Sequence, residues 1–305
     1  MSLIIWPTRL IYGVVAPKIQ AMLLVINQAR LLLVLQMWIA CALYTAKTSA
    51  EINHSCSTPT RFVTYPSSRE NSSYYKLNDY FIDLLHLALD KAGSCYHAKG
   101  IELQSINQAR TTRNLSKYRY DIHWINLSES DNELITKINV PLTKGLIGTR
   151  LFLIRKGDQQ RFSNLSLLEL KNLNAGQGHD WPDLKILRNN GFHVIESYSW
   201  EGLFQMLHKK RIDYFPRSIL EIWRDLDMFP ELNFIVEQHH LIRYDRDFYF
   251  YVNNDQKELL AIVEKGLTNA IEDDSFDKLF KKYFSEPIEK AQINERIIHD
   301  ISTAP

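Results

Sequence analysis

The residues best suited to binding chemistry follow predicted strands in the second half of the 305-residue chain. Arg217 comes directly after such a strand, and its planar guanidinium can hold a carboxylate or phosphate through two parallel hydrogen bonds. The alternative for Arg217 is a salt bridge to Glu221, one helical turn later. The stretch Gly176-Gln177-Gly178 precedes a predicted helix at 180–190, where glycine lets the backbone approach a ligand and the helix N-terminus favours anions. An ordinary capped strand-to-helix turn is the alternative there.

Aromatic side chains lie at or just beyond the ends of predicted strands. Their flat faces could stack on a planar or sugar-like ligand, although large aromatics more often belong to a core. The candidates are Tyr65, Trp124, Trp181 and Tyr198, with Trp124 foremost because it ends a central strand. Arg69, which follows the first predicted strand, is a further candidate for the ligand site.

The sequence contains none of the common catalytic patterns. There is no G-x-S-x-G nucleophile elbow, no H-E-x-x-H metal motif, no P-loop and no paired C-x-x-C. His239 and His240 are adjacent, so in a strand they point to opposite faces, and no third ligand lies at a useful spacing. We therefore expect neither an enzyme nor a metal or cofactor.

These candidate residues require a scaffold in which strands and helices alternate. The predicted elements of the first unit are strands 61–65, 101–104 and 121–124 and helices 74–92 and 107–117. This order indicates a parallel sheet covered by helices. A second unit of the same kind follows Gly145, and the chain is predicted to be helical from Gln256 onward. The predicted fold class is α/β, with ligands expected beyond the carboxyl ends of the strands.

The charge balance and the N-terminal region restrict the location and the partners. With 36 Lys+Arg against 35 Asp+Glu, the formal net charge of +1 is too small to attract nucleic acid. Residues 31–44 are almost wholly apolar, follow Arg30 and lead into small residues. This pattern predicts a secretory signal peptide cleaved after Ala50, and hence a periplasmic protein. An uncleaved membrane anchor is the alternative, and translation could start at Met1 or Met22.

Two cysteines remain after the predicted signal, Cys56 and Cys95, each a few residues ahead of a predicted strand. Export would place them where disulfides persist. If those strands are parallel neighbours, both thiols lie at the same edge of the sheet. We therefore predict a disulfide between Cys56 and Cys95, with two free thiols as the alternative.

Five ordered phrases extend the interpretation. They are DIHW at 121–124, PLTKGLIGTR at 141–150, GQGHDWPD at 176–183, MLHKKRIDYFPR at 206–217, and EKGL followed by IEDDSF within 264–276. Together they resemble solute-binding protein family 3, the extracellular receptors of amino-acid ABC transporters, and one bacterial branch of it more closely. The resemblance implies a two-lobed periplasmic binding protein of type II, with a ligand cleft that closes by hinge motion and a helical C-terminal tail.

The same resemblance implies a division of the chain. Residues 1–50 would hold the signal peptide and the segment before it, 51–148 and 245–305 a discontinuous first lobe, and 149–244 the second lobe.

Two positions depart from the amino-acid receptors of that family. Leu134 lies about where the family has an Arg for the ligand carboxylate, and Arg217 lies where it has an Asp for the ligand ammonium. We therefore expect the ligand to be a small polar solute, with anionic or sugar-like compounds as the candidates. The protein is expected to be a monomer. The expected partner is an ABC permease, and a membrane sensor is the alternative. A hydrolase or lyase on the same fold is the least supported hypothesis.

Overall fold

The first sheet brings together strands that are far apart in the sequence. In this computed structural model, which describes residues 61–67, 73–103, 108–127 and 134–303, its strands are β1 (Arg61–Ser67), β2 (Tyr96–Glu102), β3 (Ile122–Ile125), β4 (Ile135–Lys137) and β11 (Tyr249–Asn253). Strands β1 and β2 pair in parallel, and β11 lies antiparallel between β3 and β4. The two groups adjoin where the Asp121 amide donates to the Thr64 carbonyl at 2.8 Å.

Four helices pack with the first sheet or with one another: α1 (Ser73–Lys91), α2 (Gln108–Ser116), α8 (Lys257–Glu272) and α9 (Ser275–Ala291). Helix α1 buries one face, on which Leu77, Phe81 and Leu84 recur at helical spacing. Helix α8 approaches α1 so closely that a Cβ at Gly266 would lie 1.7 Å from the Ala88 carbonyl oxygen. Among the described helices, none combines the length and apolarity that crossing a membrane would need.

The second sheet is mixed and is centred on one buried strand. Its strands are β5 (Thr149–Arg155), β6 (Ala175–Gly178), β7 (Val194–Ser197), β8 (Phe215–Ser218), β9 (Phe234–Val236), β10 (His240–Arg243) and β12 (Ile297–Asp300). Strand β5 runs antiparallel to β8, β9 and β10 and is buried along nearly its whole length. Strands β6 and β7 pair in parallel and join the rest where the Gly176 amide donates to the Tyr214 carbonyl at 2.9 Å.

Five short helices connect the strands of the second sheet: α3 (Gln159–Phe162), α4 (Leu167–Asn172), α5 (Pro182–Asn189), α6 (Trp200–His208) and α7 (Ile222–Met228). Local sequence sets some of their ends. At the start of α4, the Ser166 hydroxyl accepts from the Glu169 amide and the Glu169 carboxylate accepts from the Ser166 amide, which forms a capping box. Ser199 caps α6 by accepting from the Gly202 amide at 3.0 Å.

The chain first passes from the first sheet to the second between β4 and β5, and it returns between β10 and β11. These first and second passages lie side by side. The Tyr244 amide donates to the Gly148 carbonyl at 3.2 Å, and a Cβ at Gly148 would lie 2.1 Å from the Tyr244 carbonyl oxygen. Only glycine permits this approach, because any side chain would push the two passages apart.

A third passage was not predicted. After α9 the chain enters β12, which pairs in parallel with β10. The predicted boundaries place all of 245–305 in the first lobe, whereas Ile297–Asp300 lies in the second sheet. A four-residue apolar-polar strand following a long helical pattern carries too little periodicity to be separated from it.

Candidate functional site

The carboxyl ends of β6 and β8 and the start of β5 form one edge of the second sheet. Gly178 ends β6, Arg217 and Ser218 end β8, and Arg150 in β5 pairs opposite Ser218. Ligands of open α/β sheets bind beyond the carboxyl ends of parallel strands. We call the surroundings of these four residues the second-sheet edge, and it is the candidate functional site.

Arg217 is buried at this edge and is held by carboxylates. Its Nε donates to Asp225 Oδ2, and its Nη2 lies 3.4 Å from Glu221 Oε1. The guanidinium also lies over the Trp181 ring, 5.0 Å from the ring centroid. The structure thus favours the salt-bridge alternative for Arg217, because a guanidinium already paired with two carboxylates offers no free fork to an anion. Desolvation acts to lower the pKa of Arg217, but Asp225 and Glu221 outweigh it and raise that pKa.

Arg150 extends the same network and was missed from the sequence. Its Nη2 donates to Asp183 Oδ2 at 2.8 Å, its Nη1 lies 3.4 Å from Glu221 Oε2, and its Nε donates to the Tyr244 hydroxyl at 2.8 Å. Tyr244 in turn donates to Asp183 Oδ1 at 2.6 Å. Glu221 therefore bridges the two guanidinium groups, and Tyr244 connects the network to the second passage between the sheets.

The network alternates guanidinium and carboxylate groups. Arg150 and Arg217 contact three carboxylates, those of Asp183, Glu221 and Asp225, and Arg224 interacts electrostatically with Glu221 and Asp225. Asp225 Oδ1 and the buried Gln177 Nε2 have no hydrogen-bond partner within the described ranges. Buried polar atoms without a partner are costly, so a solute group that donates a hydrogen bond to a carboxylate of this network would be favourable.

The three residues of the Gly176-Gln177-Gly178 stretch lie in β6 and are all buried. A Cβ at Gly176 would lie 2.3 Å from Ile212 Cδ1, and one at Gly178 would lie 2.5 Å from the Trp181 indole. The two glycines thus make room for the protein's own side chains. Helix α5 begins at Pro182 rather than at the predicted residue 180, with Trp181 at its N-cap.

Trp124 belongs to the core rather than to a binding surface. Only 1% of it is exposed, its ring stacks on Phe81 at 5.5 Å, and its Nε1 donates to Asn78 Oδ1 at 2.8 Å. Its predicted contact with a ligand is corrected accordingly, because neither the ring nor the indole nitrogen is available. Tyr65 is half-buried against the Trp124 ring, and desolvation raises its pKa.

Tyr198 is the predicted aromatic residue that stays accessible, with 87% of its surface exposed. It follows β7 and packs on the His179 ring at 4.1 Å, and His179 Nδ1 lies 3.2 Å from Glu196 Oε2. His179 comes directly after β6, so both rings border the second-sheet edge. Arg69, the remaining candidate, lies outside the described residues.

Arg246 is a cation that the sequence patterns did not identify. It lies on the second passage between the sheets, is half-buried, and donates from Nη1 to the Leu127 carbonyl at 2.9 Å. Leu127 follows β3, so this contact brings Arg246 to the carboxyl end of the first sheet. Leu134, where the family pattern has a cation, is exposed at the start of β4.

His240 contacts other parts of the chain, whereas the predicted disulfide is only half described. His240 Nε2 donates to the Phe162 carbonyl at 2.9 Å and its Nδ1 lies 3.1 Å from His299 Nε2, a structural arrangement. Within the described ranges no group of three or more His, Cys, Asp or Glu side chains could hold a metal ion. Cys95 is disulfide-bonded, but Cys56 lies outside the described residues, so their pairing stays a prediction.

A pocket of about 170 Å³ lies where α7 meets α1 and α9. Its walls include Leu77 of α1, Trp223 of α7 and Phe284 of α9. Pockets for small-molecule ligands commonly have volumes of about 300–1,000 Å³. This pocket marks a contact between the two halves of the molecule and is not the candidate solute site.

Comparison with known proteins identifies the fold. No known family profile and no curated protein matches the sequence. Among solved structures, an ancestral arginine-binding protein bound to arginine aligns with a TM-score of 0.54 at 16% identity, covering 74% of this chain and 100% of that one. The GluR0 ligand-binding core in complex with L-glutamate aligns with a TM-score of 0.55 at 14% identity, covering 74% and 99%.

A third structure extends the comparison to a transporter component. An amino acid ABC transporter substrate-binding protein from Streptococcus pneumoniae, bound to L-arginine, gives a TM-score of 0.51 at 14% identity over 68% of this chain and 82% of that one. The chain therefore has the two-lobed α/β fold of periplasmic binding proteins, and the predicted fold class is confirmed.

Proposed function

We propose that this protein is an extracytoplasmic receptor that binds a small amino-acid-like solute between its two lobes and delivers it to an ABC permease. The observation that carries the proposal is the buried cluster of carboxylates at the second-sheet edge, in the position where this fold binds ligands. The arginine-bound proteins among the structural neighbours support the same ligand class. Export through an N-terminal signal is part of this proposal.

The ligand class differs from the one expected from sequence. The preference for anionic or sugar-like compounds depended on a free guanidinium at Arg217, whose charge is instead paired with Asp225 and Glu221. With that charge paired, the edge offers carboxylate oxygens rather than a free cation, and these favour an ammonium or guanidinium group on the solute. Glu221 is the carboxylate of the network with the most exposed side chain, at 11%, so we assign it to that contact.

A zwitterionic solute also needs a partner for its carboxylate. We propose Arg246 for this role, because its contact with the Leu127 carbonyl brings a guanidinium to the carboxyl end of β3. The arrangement would place a cation from the first-sheet side opposite the carboxylates of the second-sheet edge. Arg246 would then supply the charge that the family pattern supplies near position 134.

The proposal is tested by the thermal unfolding of the protein with L-arginine, L-glutamine, L-glutamate, citrate or glucose. A solute present at 100 times its dissociation constant adds about 2.7 kcal/mol of stability. We expect L-arginine to raise the midpoint, and Glu221→Gln and Arg246→Ala each to weaken its binding at least about tenfold, ~1.4 kcal/mol. Glu231→Gln is the matched control, because Glu231 is exposed elsewhere on the same lobe. Stabilisation by citrate or glucose alone would contradict the proposed ligand class.

A further inference from the structure

The C-terminal segment connects the two halves of the molecule a third time. Helix α9 packs on α1 beside the first sheet, whereas β12 pairs with β10 in the second sheet. The passage between them is short, running from Ala291 to Ile297. Both ends of this segment are therefore held in packed elements, one in each half.

Arg296 lies within that passage and contacts both halves. Its Nε donates to the Ala291 carbonyl at 2.6 Å, at the C-terminus of α9. Its Nη1 donates to the carbonyl of Glu237, in the turn before β10, and lies 3.3 Å from the carbonyl oxygen of His240, the first residue of β10. Helix C-termini leave carbonyls unpaired and carry partial negative charge, so a guanidinium suits the site. One side chain thus ties the end of a first-lobe helix to a second-lobe turn.

The end of α9 is held from the second lobe at another point as well. Trp223 of α7 donates from Nε1 to the Pro287 carbonyl at 3.0 Å. The strand β12 itself is anchored inside the second lobe, where Arg243 forms two hydrogen bonds with Asp300, at 2.7 and 2.9 Å. The contacts of Trp223 and Arg296 thus cross between the lobes, whereas the Arg243–Asp300 pair lies within one lobe.

We propose that Arg296 is a positioning residue that limits lobe opening and thereby raises affinity for the solute without touching it. The affinity part of this inference rests on the proposed function, and the part on lobe opening does not. Loss of the tie would lower the fraction of molecules in the closed arrangement, and apparent affinity falls in proportion to that fraction.

The first experiment measures lobe separation in the ligand-free full chain. Labels attached to keto-bearing amino acids at Glu264 and Lys185, both exposed and on different lobes, leave the native cysteines untouched. We expect Arg296→Ala to lengthen and broaden the label distance relative to the unsubstituted protein. Arg296→Lys keeps the charge but cannot bridge the same carbonyls, so it should do the same. A distance distribution unchanged in both variants would overturn the proposal.

The matched control is Arg243→Ala, which loosens β12 within the second lobe and should leave the label distance unchanged. A change as large as that of Arg296→Ala would mean that loosening β12, rather than the tie between lobes, sets the separation, and this too would overturn the proposal. Circular dichroism and thermal unfolding identify any variant that fails to fold, and Arg296→Gln then replaces it as a milder change.

The second experiment measures the binding of L-arginine and L-glutamine by calorimetry. We expect Arg296→Ala to weaken binding about tenfold, ~1.4 kcal/mol, with Arg243→Ala unchanged. If Arg296→Ala lengthens the label distance but leaves the affinity unchanged, only the affinity part of the proposal is overturned. If the unsubstituted protein binds neither probe, the proposed function fails, while the label distances still decide the role of Arg296.

Discussion

The strand residues near the carboxyl ends of β3 and β8 are of opposite kinds. At the first sheet, Trp124 and His123 of β3 are buried among aromatic rings and carry no charge. At the second sheet, Arg150, Arg217 and their three carboxylates are equally buried but form a charged network. Position at a strand end thus does not by itself identify a ligand contact. The difference lies in what each side chain already contacts.

The charged edge is tested most severely by Arg217→Ala. Removing one partner of a buried ion pair leaves Asp225 uncompensated, so we expect a loss of about 3–5 kcal/mol in the free energy of unfolding. Urea unfolding followed by fluorescence measures it. The double variant Arg217→Met with Asp225→Leu serves as the control and should recover most of the loss, because a neutral apolar pair needs no compensation. A loss below about 1 kcal/mol in Arg217→Ala would place this pair among ordinary surface salt bridges.

The uncharged strand β3 is tested by the pH dependence of stability. Burial lowers the pKa of His123 to about 3, whereas the unfolded chain takes up this proton near pH 6.5. As the pH falls between these values, protons bind the unfolded state and not the folded one. The contribution of His123 to stability therefore falls by about 1.4 kcal/mol per pH unit.

The variant His123→Phe isolates this contribution, since the other titrating groups are unchanged. As the pH falls from about 6.5 to 3, we expect the free energy of unfolding to decrease more steeply for the native protein than for the variant. The difference in slope should correspond to the binding of one proton, about 1.4 kcal/mol per pH unit. Parallel pH profiles would show that His123 is protonated in the folded state.

The sequence predicted the fold better than the site, for identifiable reasons. Alternating apolar segments located most strands and helices, because burial of one face controls both. Arg217 was proposed from the sequence as a ligand contact with Glu221 as the alternative partner, whereas its partner Asp225 lies eight residues away, on a different element. Arg150, Asp183 and Tyr244 meet only when three segments fold together, 33 and 61 residues apart. No local pattern specifies such a network, although the Arg at the end of PLTKGLIGTR and the Asp at the end of GQGHDWPD both take part in it.

Trp124→Phe tests whether the first edge is core. The change removes the donor to Asn78 Oδ1 and leaves a small cavity, so we expect a loss of about 1–3 kcal/mol in the free energy of unfolding. Affinity for L-arginine should stay within twofold of the unsubstituted protein in calorimetry. Asn78→Ala with Trp124→Phe is the control, because it removes the unsatisfied acceptor as well. A large loss of affinity with little loss of stability would return Trp124 to the binding site.

The smallest effect on stability is expected for a variant of Tyr198. This variant distinguishes binding from packing at the second-sheet edge. With 87% of its surface exposed, Tyr198 contributes little to the core, so Tyr198→Ala should change the free energy of unfolding by less than about 0.5 kcal/mol. The ring borders the proposed site through His179, and one aromatic contact is worth about 0.5–1.5 kcal/mol. We therefore expect L-arginine to bind about fivefold more weakly to the variant, measured by calorimetry at pH 7.

Tyr118→Ala is the control, since Tyr118 is exposed beside the first sheet. Equal affinities of Tyr198→Ala and Tyr118→Ala for L-arginine would place Tyr198 outside the site. The second-sheet edge would then bind its solute through the charged network alone.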